Sequence, residues 1–526
     1  MSYRVCIPTA GTGSRLGSLT RFINKSLVSI ANRPTLSHLI EQFPIDAEFV
    51  FALGHKGALV REFLELAYPQ RQFFYAEVEP FEGAGSGLGL SLLSCKQYLQ
   101  QPFIFISCDT LVREPIPAPN ENWMGYAEGS ELQPYRTLKV EFGRVEAICE
   151  KGEGKTDAHK QYVGLAGVHD YRRFWEAMEL GGELAIDSGE AYGLRHLLPQ
   201  KISAHGFNWC DTGNLNALTR ARGIYREPGE PNILEKANEA IWFVDGLVIK
   251  FSDDQKFIDS RVKRVEELRG FVPEVTGARA HMYRYPKVNG KVLSEVVTLP
   301  LFDQLLEHCK RFWKRKMLSS DEAQDFRGTC ISFYRDKTFQ RVELFYKNFS
   351  LRDGNELING RNMQTLNALL HAVDWDWIAD GLPSRFHGDF HFENILWSSH
   401  LQRFTFLDWR QDFGGSLSIG DVYYDLAKLM HGLIISHELI AREHFWVNWK
   451  SNEICFDFHR KQVLVECEQH FGQWLESEGY DRKKVYVLTA LVYLNIAALH
   501  HNPYSLLLFA LGKVMLSKEI SGHEHN

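Results

Sequence analysis

Two aspartates and an asparagine in the C-terminal half have the types and spacing of a phosphoryl-transfer centre. Asp389 lies in FHGDFHFENILW (386–397), Asn394 follows in the same segment, and Asp408 ends the apolar run FTFLD. In such centres one aspartate accepts the proton of the attacking hydroxyl, while an asparagine and a second aspartate hold the Mg²⁺ that bridges the phosphates. The pattern predicts Asp389 as the catalytic base and Asn394 and Asp408 as metal ligands.

A lysine upstream fits the same chemistry. Lys250 ends the apolar run DGLVIK, where kinase-like folds carry the lysine that pairs with the α- and β-phosphates of ATP. Its usual glutamate partner is expected on the helix after residue 255. Glu266 and Glu267 are both candidates, and the spacing does not choose between them.

The N-terminus carries a second set of residues suited to phosphate. The first apolar run leads into AGTGSRL (10–16), and Lys25 follows. Gly11 and Gly13 let the backbone approach a phosphate chain with its N–H groups pointing inward, and Arg15 and Lys25 add positive charge. The loop matches neither GxGxxG nor GxxxxGK[ST], so a dinucleotide fold and a P-loop both fit poorly. The segment predicts a polyphosphate site.

This segment resembles that of the sugar-nucleotide pyrophosphorylases, a nucleotidyltransferase family that opens with AGxGxRL, then a lysine, then a proline. The matching residues are Ala10, Gly11, Gly13, Arg15, Leu16, Lys25 and Pro34. The resemblance continues in order to about residue 222, through GAGSGLGLSL (83–92), SCDTL (107–111), ICEK (148–151), YVGLAGVH (162–169) and NWCDTGN (208–214).

The resemblance implies a role for each matched position. Ala10, Gly11, Gly13, Gly85, Ser86 and Gly87 would bind the nucleotide, and Asp109 and Asp211 would hold Mg²⁺. Arg15 and Lys25 would bind the triphosphate or the pyrophosphate, and Lys151 the phosphate of the second substrate. Carboxylate-held Mg²⁺ and fixed cations are what a reaction needs when two anions are forced together. The alternatives are a turn cap for Asp109, an Asx turn for Asp211 and a solvated surface position for Lys151.

The C-terminal half, from about 235 to 515, resembles the aminoglycoside phosphotransferase and choline kinase family. The family keeps HGDxxxxN and a strand-borne aspartate, and GDVYYDLAKL (420–429) also fits, with Asp425 in a structural role. The DFG and APE segments of protein kinases are missing. No glycine-rich phosphate loop is visible beyond the turn Asp245-Gly246, and LDWRQD has an arginine where many relatives carry an acidic residue.

Other polar and aromatic residues near these motifs invite less specific interpretations. His387 and His391 are expected to pack or form hydrogen bonds, because a histidine metal site lacks a third convergent ligand in the sequence. Trp397 and Trp409 could form a box for a cation such as choline, but core packing is favoured for both.

The elements that must position these residues differ between the two halves. Short apolar runs alternate with amphipathic stretches up to about 225, which predicts an α/β domain with a Rossmann-like, mostly parallel mixed sheet. REPGEPN (226–232) is typical of a linker. Beyond it, a hairpin with an Asp-Gly turn and a mainly helical remainder predict an α+β, protein-kinase-like domain over 233–526.

The composition of the chain limits the classes of partner and the compartment that can be expected. The 526 residues include 59 Lys and Arg against 66 Asp and Glu, a net charge of −7, so a broad basic surface for nucleic acid is excluded. The longest uncharged stretch, 485–499, is shorter than a bilayer span and predicts a buried helix rather than membrane insertion. Nine cysteines without a CxxC pair indicate reduced thiols, and with no secretion signal at the N-terminus they predict a cytoplasmic protein. Oligomeric state cannot be deduced.

Together the two resemblances imply a bifunctional enzyme. One half would phosphorylate an alcohol, amino alcohol or sugar with ATP, and the other would couple the phosphate ester to a nucleoside triphosphate, both with Mg²⁺. The product would be a nucleotide-activated building block for surface polysaccharide or lipid. CTP is favoured by analogy, with UTP and a sugar 1-kinase/uridylyltransferase pair as the alternative. A regulatory or binding role for one half, or an antibiotic-modifying or protein kinase, remain further alternatives.

Overall fold

The computed structural model describes residues 3–129, 131–155, 158–226 and 236–521. Its contacts divide the chain into an N-terminal unit, Met1–Ile258 with Val275–Lys287, and a C-terminal unit, Asp259–Glu274 with Val288–Asn526. The predicted linker 226–232 lies outside the described residues except for its first position. The division falls later in the chain than residue 225, because the segments that follow the linker pack with the N-terminal unit.

The N-terminal unit contains seventeen strands. They are β1 (Arg4–Pro8), β2 (Ser29–Ile30), β3 (Arg33–Pro34), β4 (Glu48–Leu53), β5 (Phe73–Glu77), β6 (Phe103–Ile106), β7 (Thr110–Val112), β8 (Trp123–Ala127), β9 (Thr137–Glu141), β10 (Arg144–Cys149), β11 (His159–Val168), β12 (Ser203–Gly206), β13 (Trp209–Asp211), β14 (Glu239–Val244), β15 (Leu247–Ser252), β16 (Gly277–Ala278) and β17 (Met282–Pro286), as counted over the described residues.

Its helices are α1 (Thr35–Ile40), α2 (Gly57–Ala67), α3 (Leu88–Cys95), α4 (Tyr171–Gly181), α5 (Glu183–Ser188), α6 (Glu190–Leu197) and α7 (Leu215–Tyr225). Short 3₁₀ helices cover Ser14–Thr20, Lys25–Leu27, Lys96–Tyr98 and Leu198–Gln200. Helix α8 (Gln255–Arg264) crosses the division between the units.

The main sheet of this unit has nine strands in the order β5-β4-β1-β6-β11-β8-β12-β10-β9. Pairing is parallel from β5 to β6 and between β8 and β12, and antiparallel at the other neighbouring pairs. The predicted α/β architecture with a mixed sheet is therefore present, but only the half that includes β1 is continuously parallel. Strands β1, β4 and β6 are buried nearly throughout, as expected of parallel strands covered on both faces.

A second, four-stranded sheet in the N-terminal unit has the order β14-β15-β17-β16. Its first hairpin turns at Asp245 and Gly246, both with positive φ, as the Asp-Gly turn predicts. Trp242 packs edge-on against Phe63 of α2 with ring centroids 5.3 Å apart, and its Nε1–H donates to Ser29 Oγ at 3.0 Å. His281 lies 3.0 Å from a carboxylate oxygen of Glu62. These contacts join the hairpin to the core of the N-terminal unit.

The C-terminal unit is mainly helical. Its strands are β18 (Lys291–Val292), β19 (Glu356–Ile358), β20 (Arg361–Met363), β21 (Pro383–Ser384), β22 (Ile395–Ser398), β23 (Arg403–Phe406), β24 (Gly420–Asp421), β25 (Phe445–Lys450) and β26 (Glu453–Phe458). Its further helices are α9 (Leu293–Val296), α10 (Leu299–Phe312), α11 (Ser320–Ile331), α12 (Lys337–Phe349), α13 (Leu366–Ala372), α14 (Trp375–Ala379), α15 (Val422–Ile434), α16 (His437–Ala441), α17 (Gln462–Ser477), α18 (Arg482–Ala497) and α19 (Tyr504–Ser521).

Three small sheets and a buried helix organise the C-terminal unit. The sheets are β18-β22-β23, β20-β19-β26-β25 and the pair β21-β24. Helix α15 is buried at every position, which fixes its polar side chains in the interior. Helix α18 covers most of the stretch predicted to be a buried helix, and most of its residues are buried. Of the helices in the described parts of the chain, none is both long and apolar enough to cross a bilayer.

Candidate functional site

A cavity of about 450 Å³ in the N-terminal unit collects most of the residues predicted there. It opens beyond the carboxyl ends of β1 and β6, the edge at which α/β sheets bind ligands. The predicted residues that line it are Ala10, Gly11, Arg15, Lys25, Ser86, Gly87, Asp109, Lys151 and Asp211. Gly13 and Gly85 are not among its lining residues.

Strand pairing brings the two predicted metal aspartates together across a long sequence separation. Strand β13 pairs antiparallel with β7 so that Asp211 lies opposite Thr110. The backbone N–H of Thr212 donates to the carbonyl oxygen of Asp109 at 3.0 Å. The two aspartates therefore sit at adjacent ends of one short ribbon.

Gly213 marks the point on which three charged groups converge. A Cβ built on this glycine would lie 2.9 Å from Asp109 Oδ2, 3.1 Å from Asp211 Oδ1 and 3.3 Å from Arg15 Nη2. Any side chain at 213 would fill the space between these groups. Two convergent carboxylates are hard oxygen donors of the kind that suit Mg²⁺, so the residues fit the predicted ion.

Lys25 forms an ion pair with Asp109. Its Nζ lies 3.0 Å from Asp109 Oδ2, and Ser107 Oγ donates to Asp109 Oδ1 at 2.5 Å. Burial acts to raise the pKa of Asp109, but the charge of Lys25 and these hydrogen bonds outweigh it and lower the pKa to about 2. Burial likewise acts to lower the pKa of Lys25, and the Asp109 charge reverses the shift. Both groups are charged at neutral pH.

Gly13 allows this ion pair to form although it does not line the cavity. It has a φ of 68°, and a Cβ there would lie 2.7 Å from Lys25 Cβ. The glycine that the sequence suggested for backbone–phosphate contact thus also makes room for the lysine stem.

Both carboxylate oxygens of Asp211 accept hydrogen bonds, the longest of them from Asn214 Nδ2 to Oδ2 at 3.5 Å. Its Oδ1 accepts the N–H of Gly213 at 2.8 Å, which is the Asx turn considered from the sequence, and its Oδ2 accepts the hydroxyl of Tyr135 at 3.0 Å. Burial, followed by the Asp211 charge, raises the pKa of Tyr135 to about 12, so the hydroxyl stays a donor. The Asx turn orients the carboxylate within the cavity wall and does not remove it from the site.

Polar residues that sequence reasoning missed form another wall of the cavity. Glu190 is only 4% exposed, and its carboxylate and the hydroxyl of Tyr162 act on each other. Neither Glu190 Oε2 nor that hydroxyl forms a hydrogen bond of normal geometry in the described part of the chain. Burial raises the pKa of Glu190 despite the nearby Arg136. Glu150 accepts hydrogen bonds from Arg136, at 2.9 Å, and from Arg195. Glu150 and Tyr162 lie in the matched segments ICEK (148–151) and YVGLAGVH (162–169), whose resemblance implies no role for them. No spacing pattern in the sequence marks Glu190 or Arg136.

In the C-terminal unit, Asp389 and Asn394 form one hydrogen-bonded loop. Asn394 Nδ2 donates to the carbonyl oxygen of Asp389 at 2.9 Å and to its Oδ2 at 3.1 Å. The N–H of Leu407 donates to the carbonyl oxygen of Asn394 at 2.7 Å, which places Asp408 beside that loop. Asp408 has a φ of 57°, a conformation that is unfavourable for an aspartate in a regular strand. The structure brings these three predicted residues together.

Two cations keep Asp389 ionised. Lys428 of α15 places its Nζ 2.8 Å from Asp389 Oδ1, and His391 Nε2 lies 3.6 Å from Oδ2. Desolvation acts to raise the pKa of Asp389, but the charges of Lys428 and His391 hold it well below its usual range. Desolvation would lower the pKa of His391, and its two carboxylate neighbours instead raise it to about 9. Asp389 is therefore a carboxylate at neutral pH.

Buried hydrogen bonds hold the backbone of this loop in place. Asp425 accepts the N–H groups of His387 at 2.6 Å and Gly388 at 2.7 Å, and the indole N–H of Trp313 at 3.0 Å. His387 Nε2 pairs with the carbonyl oxygen of Leu407 at 2.8 Å. These contacts match the structural roles expected for Asp425 and His387.

A cluster beside the loop supplies the convergent groups that the sequence did not reveal near His391. Glu393 Oε2 lies 2.9 Å from His391 Nδ1 and 3.3 Å from His437 Nδ1. The candidate ligand atoms of the three residues all lie within 4.8 Å of one another. This charge pairing connects the start of α16 to the loop that contains Asp389 and Asn394.

Lys250 and its candidate glutamate partners each have their own neighbours in the structure. Lys250 on β15 is buried in the N-terminal unit, with its Nζ 6.0 Å from the ring centroid of Tyr285. Its two candidate partners have cations of their own: Glu266 pairs with Arg269 at 2.6 Å and Glu267 with Lys316 at 2.9 Å.

The two tryptophans near the C-terminal motifs are part of the packing. Trp409 is fully buried and donates its Nε1–H to the carbonyl oxygen of Arg261 at 2.9 Å. Trp397 packs on Phe404 with ring centroids 4.5 Å apart. Core packing, the favoured interpretation, holds for Trp409, whereas Trp397 is only half-buried.

Comparison with known proteins gives matches among solved structures only. No family model and no curated protein matches the chain. A UDP-glucose pyrophosphorylase complexed with UDP-glucose matches with 16% identity and a TM-score of 0.36, over 43% of this chain and 98% of that one. A UDP-glucose pyrophosphorylase from Acinetobacter baumannii matches with 13% identity and a TM-score of 0.38, over 44% of this chain and 96% of that one.

Proposed function

We propose that the N-terminal unit is a nucleotidyltransferase that joins a phosphorylated substrate to a nucleoside triphosphate and releases pyrophosphate. The observation that carries this proposal is the convergence of Asp109, Asp211 and Arg15 on one point of a cavity that also contains Lys25. In the reaction, a phosphate oxygen attacks the α-phosphorus and the bond to the pyrophosphate breaks. Negative charge builds on several oxygens, so fixed cations aimed at them stabilise the transition state.

Individual residues of the cavity have separable roles in this proposal. Asp109 and Asp211 would hold Mg²⁺, which supplies charge neutralisation when bound. Arg15 and Lys25 bind the triphosphate side, and the backbone at Ala10 and Gly11 approaches it closely. Ser86 and Gly87 would bind the base, and Lys151 would bind the phosphate of the second substrate.

The wall of the cavity that contains Glu190 and Tyr162 suits a hydroxylated second substrate. Glu190 Oε2 and Tyr162 OH are buried polar atoms that act on each other without a hydrogen bond of normal geometry in the described residues. A sugar or polyol hydroxyl that donates to the carboxylate would supply the hydrogen bond that its buried oxygen lacks. We therefore favour a sugar phosphate or polyol phosphate as the group that is activated.

We further propose that the C-terminal unit phosphorylates a hydroxyl with ATP. Support comes from Asp389, which is held ionised and hydrogen-bonded to Asn394, with Asp408 beside the same loop. Asp389 would take the hydroxyl proton, and Asn394 and Asp408 would hold Mg²⁺ on the phosphates.

The two reactions would be consecutive. The ester made by the C-terminal unit is the kind of substrate that the N-terminal unit consumes, so one chain would convert an alcohol or sugar into a nucleotide-activated building block for cell-surface polysaccharide or lipid. We favour CTP as the nucleotide, with UTP as the alternative.

Single substitutions separate the two activities. Asp109→Asn or Asp211→Asn should abolish pyrophosphate release and leave ADP formation intact, because each removes a carboxylate from the proposed metal site. Asp389→Asn should abolish ADP formation and leave pyrophosphate release from a supplied phosphorylated substrate. The exposed residues Asp46 and Asp321 provide matched Asp→Asn controls, one in each unit.

The assay combines the protein with Mg²⁺, ATP, either CTP or UTP, and a panel of alcohols and sugars. Mass spectrometry detects the nucleoside diphosphate product, while coupled assays follow ADP and pyrophosphate. If Asp389→Asn stopped both activities in a folded protein, the two-site proposal would be wrong. If only one activity exists in the unaltered chain, the silent unit is a binding or regulatory module.

A further inference from the structure

Positive charge accumulates around Asp389 beyond what that carboxylate neutralises. Lys428 forms the close contact with Asp389 already described. Arg410 belongs to the LDWRQD segment and packs over Gly388, where an added Cβ would lie 2.5 Å from Arg410 Cβ. Its Nε–H donates to the backbone carbonyl of Asp412 at 3.0 Å. One lysine and one arginine therefore flank the catalytic loop.

A third cation lies on the same aromatic ring as Arg410. Lys337, the first residue of α12, places its Nζ 4.2 Å from the centroid of the Phe333 ring, and the guanidinium carbon of Arg410 lies 5.1 Å from that centroid. Within the described chain, neither Lys337 nor Arg410 has a carboxylate oxygen within 4.0 Å. The ring partly stabilises the two charges, and Asp412 acts on Lys337 only from beyond ion-pair distance.

The mutual repulsion of these groups contributes to a lowered pKa of Lys337. Burial, then the charges of Arg410, Arg341 and Lys428, lower the pKa of Lys337 to about 7, and Asp412 opposes them only partly. A protein that crowds cations in a partly desolvated place bears a cost that an anionic ligand would remove. Arginine and lysine side chains held near an aspartate base are suited to a carboxylate or phosphate group.

We propose that the hydroxyl substrate of the C-terminal unit is an anion, which carries a carboxylate or a phosphate bound by Lys337 and Arg410 while its hydroxyl faces Asp389. This inference rests on the kinase activity proposed above and names the class of its substrate. In the reaction the hydroxyl oxygen bonds to the γ-phosphorus of ATP, the γ-phosphorus–oxygen bond to ADP breaks, and the hydroxyl proton passes to Asp389. A cationic amino alcohol such as choline would be repelled.

The first test measures anion binding without any reaction. Radiolabelled inorganic sulfate is equilibrated by dialysis, at constant ionic strength and without nucleotide, with the full chain and with Lys337→Gln, Arg410→Gln and the control Lys347→Gln. Lys347 is exposed and lies near the far end of α12. We expect at least a tenfold weaker affinity for one sulfate in the first two variants and an unchanged affinity in the control. Equal binding by all four proteins would overturn the anion site.

The second test compares hydroxyl substrates that differ in charge. ADP formation is followed with glycerol, glycerate and glycerol 3-phosphate, with glucose, glucuronate and glucose 6-phosphate, and with choline. We expect kcat/KM to be at least tenfold higher for an anionic member than for its neutral counterpart. Lys337→Gln should raise the KM for that anion about tenfold with a smaller change in kcat. A preference for glucose, glycerol or choline would overturn the proposal.

The two tests fail separately. If sulfate binding depends on Lys337 and Arg410 but no panel member supports ADP formation that depends on Asp389, the anion site stands and the kinase proposal fails. Comparison of the carboxylate and phosphate members then shows which anion the unit takes when ADP does form.

Discussion

The Tyr135 hydroxyl is the group through which a neighbouring segment orients a proposed metal ligand. It donates to Asp211 Oδ2, while the other carboxylate oxygen is held by the Gly213 N–H. Removing such an outer contact commonly costs 10–100-fold in metal affinity. Tyr135→Phe should therefore raise the Mg²⁺ concentration for half-maximal pyrophosphate release at least about tenfold.

The control for this prediction is Tyr171→Phe, whose hydroxyl contacts the side chain of the adjacent Arg172. Mg²⁺ titrations of both variants at saturating nucleotide give the comparison. An unchanged Mg²⁺ dependence in Tyr135→Phe would show that Asp211 does not need this donor, and would weaken its assignment as a metal ligand.

The lowered pKa of Lys337 predicts how the stability of the protein depends on pH. Its pKa in the folded protein is about 7, below the ordinary lysine value of 10.5, because burial and the charges of Arg410, Arg341 and Lys428 outweigh Asp412. Between these two values the folded state binds fewer protons than the unfolded state, so this lysine makes stability rise with pH across that window. Below pH 7 the folded protein carries the full cost of the buried charge.

Lys337→Met should consequently increase the free energy of unfolding more at pH 6 than at pH 9. Urea denaturation of the variant and the unaltered protein at both pH values measures the difference. Lys347→Met, at an exposed position on the same helix, should change stability equally at both pH values. Equal changes for Lys337→Met as well would contradict the lowered pKa.

At the scale of single residues, the sequence predicts the groups that bear charge better than the groups that orient them. The predicted aspartates lie at the ends of apolar runs or in short polar motifs, and such positions can be recognised from the sequence alone. They are Asp109, Asp211, Asp389 and Asp408. Tyr135 and Glu190 reach the cavity only because distant strands and helices fold next to each other. Nothing in their local spacing encodes that contact.

At the scale of elements, the packing of α3 against α5 positions the glycine segment at the cavity. A Cβ on Gly89 would lie 2.0 Å from the carbonyl oxygen of Ala185, an atom that cannot move as a side chain can. Gly89→Ala should push α3 away from α5, and with it Gly87 and Ser91, which line the cavity. We expect a loss of about 1–3 kcal/mol in the free energy of unfolding and a higher KM for the nucleoside triphosphate.

The chain offers a matched substitution in another helix. Gly223 lies within α7, and a Cβ there would meet nothing within 4 Å. Gly223→Ala should leave the KM unchanged and stabilise the protein by up to about 1 kcal/mol. Denaturation curves and nucleotide saturation curves for the pair test the prediction, which fails if the two variants behave alike.

Sequence periodicity predicts elements more readily than their partners. The βα alternation identifies β1, β4, β5 and β6, whose parallel pairing follows from the crossover helices between them. The antiparallel half of the sheet joins strands such as β11 and β6 over a long separation, and apolar character alone does not specify that neighbour. The mostly parallel expectation fails there for this reason.

At the scale of the whole molecule, the proline- and glycine-rich segment and the division between compact units are different features. Composition locates the first at 226–232, whereas shared apolar contacts determine the second. The sheet β14-β15-β17-β16 belongs to the N-terminal unit because Trp242, Phe251 and Met282 join the core that includes Phe63 of α2. Sequence reasoning assigned this hairpin to the second domain because it follows the linker-like segment 226–232 and contains Lys250. Neither feature carries information about where the apolar face of the hairpin packs.

This arrangement makes the N-terminal activity depend on a residue outside the predicted first domain. Trp242 is fully buried, and Trp242→Ala would leave a cavity between the hairpin and α2 at a cost of about 3–5 kcal/mol. The variant should therefore lose its pyrophosphate-releasing activity at a lower temperature than the unaltered protein does. Trp446→Ala, at a position that is 53% exposed in the C-terminal unit, should not alter that heat resistance. If Trp242→Ala kept the heat resistance of the unaltered protein, the hairpin would be dispensable to the N-terminal unit and the first domain would end near 225.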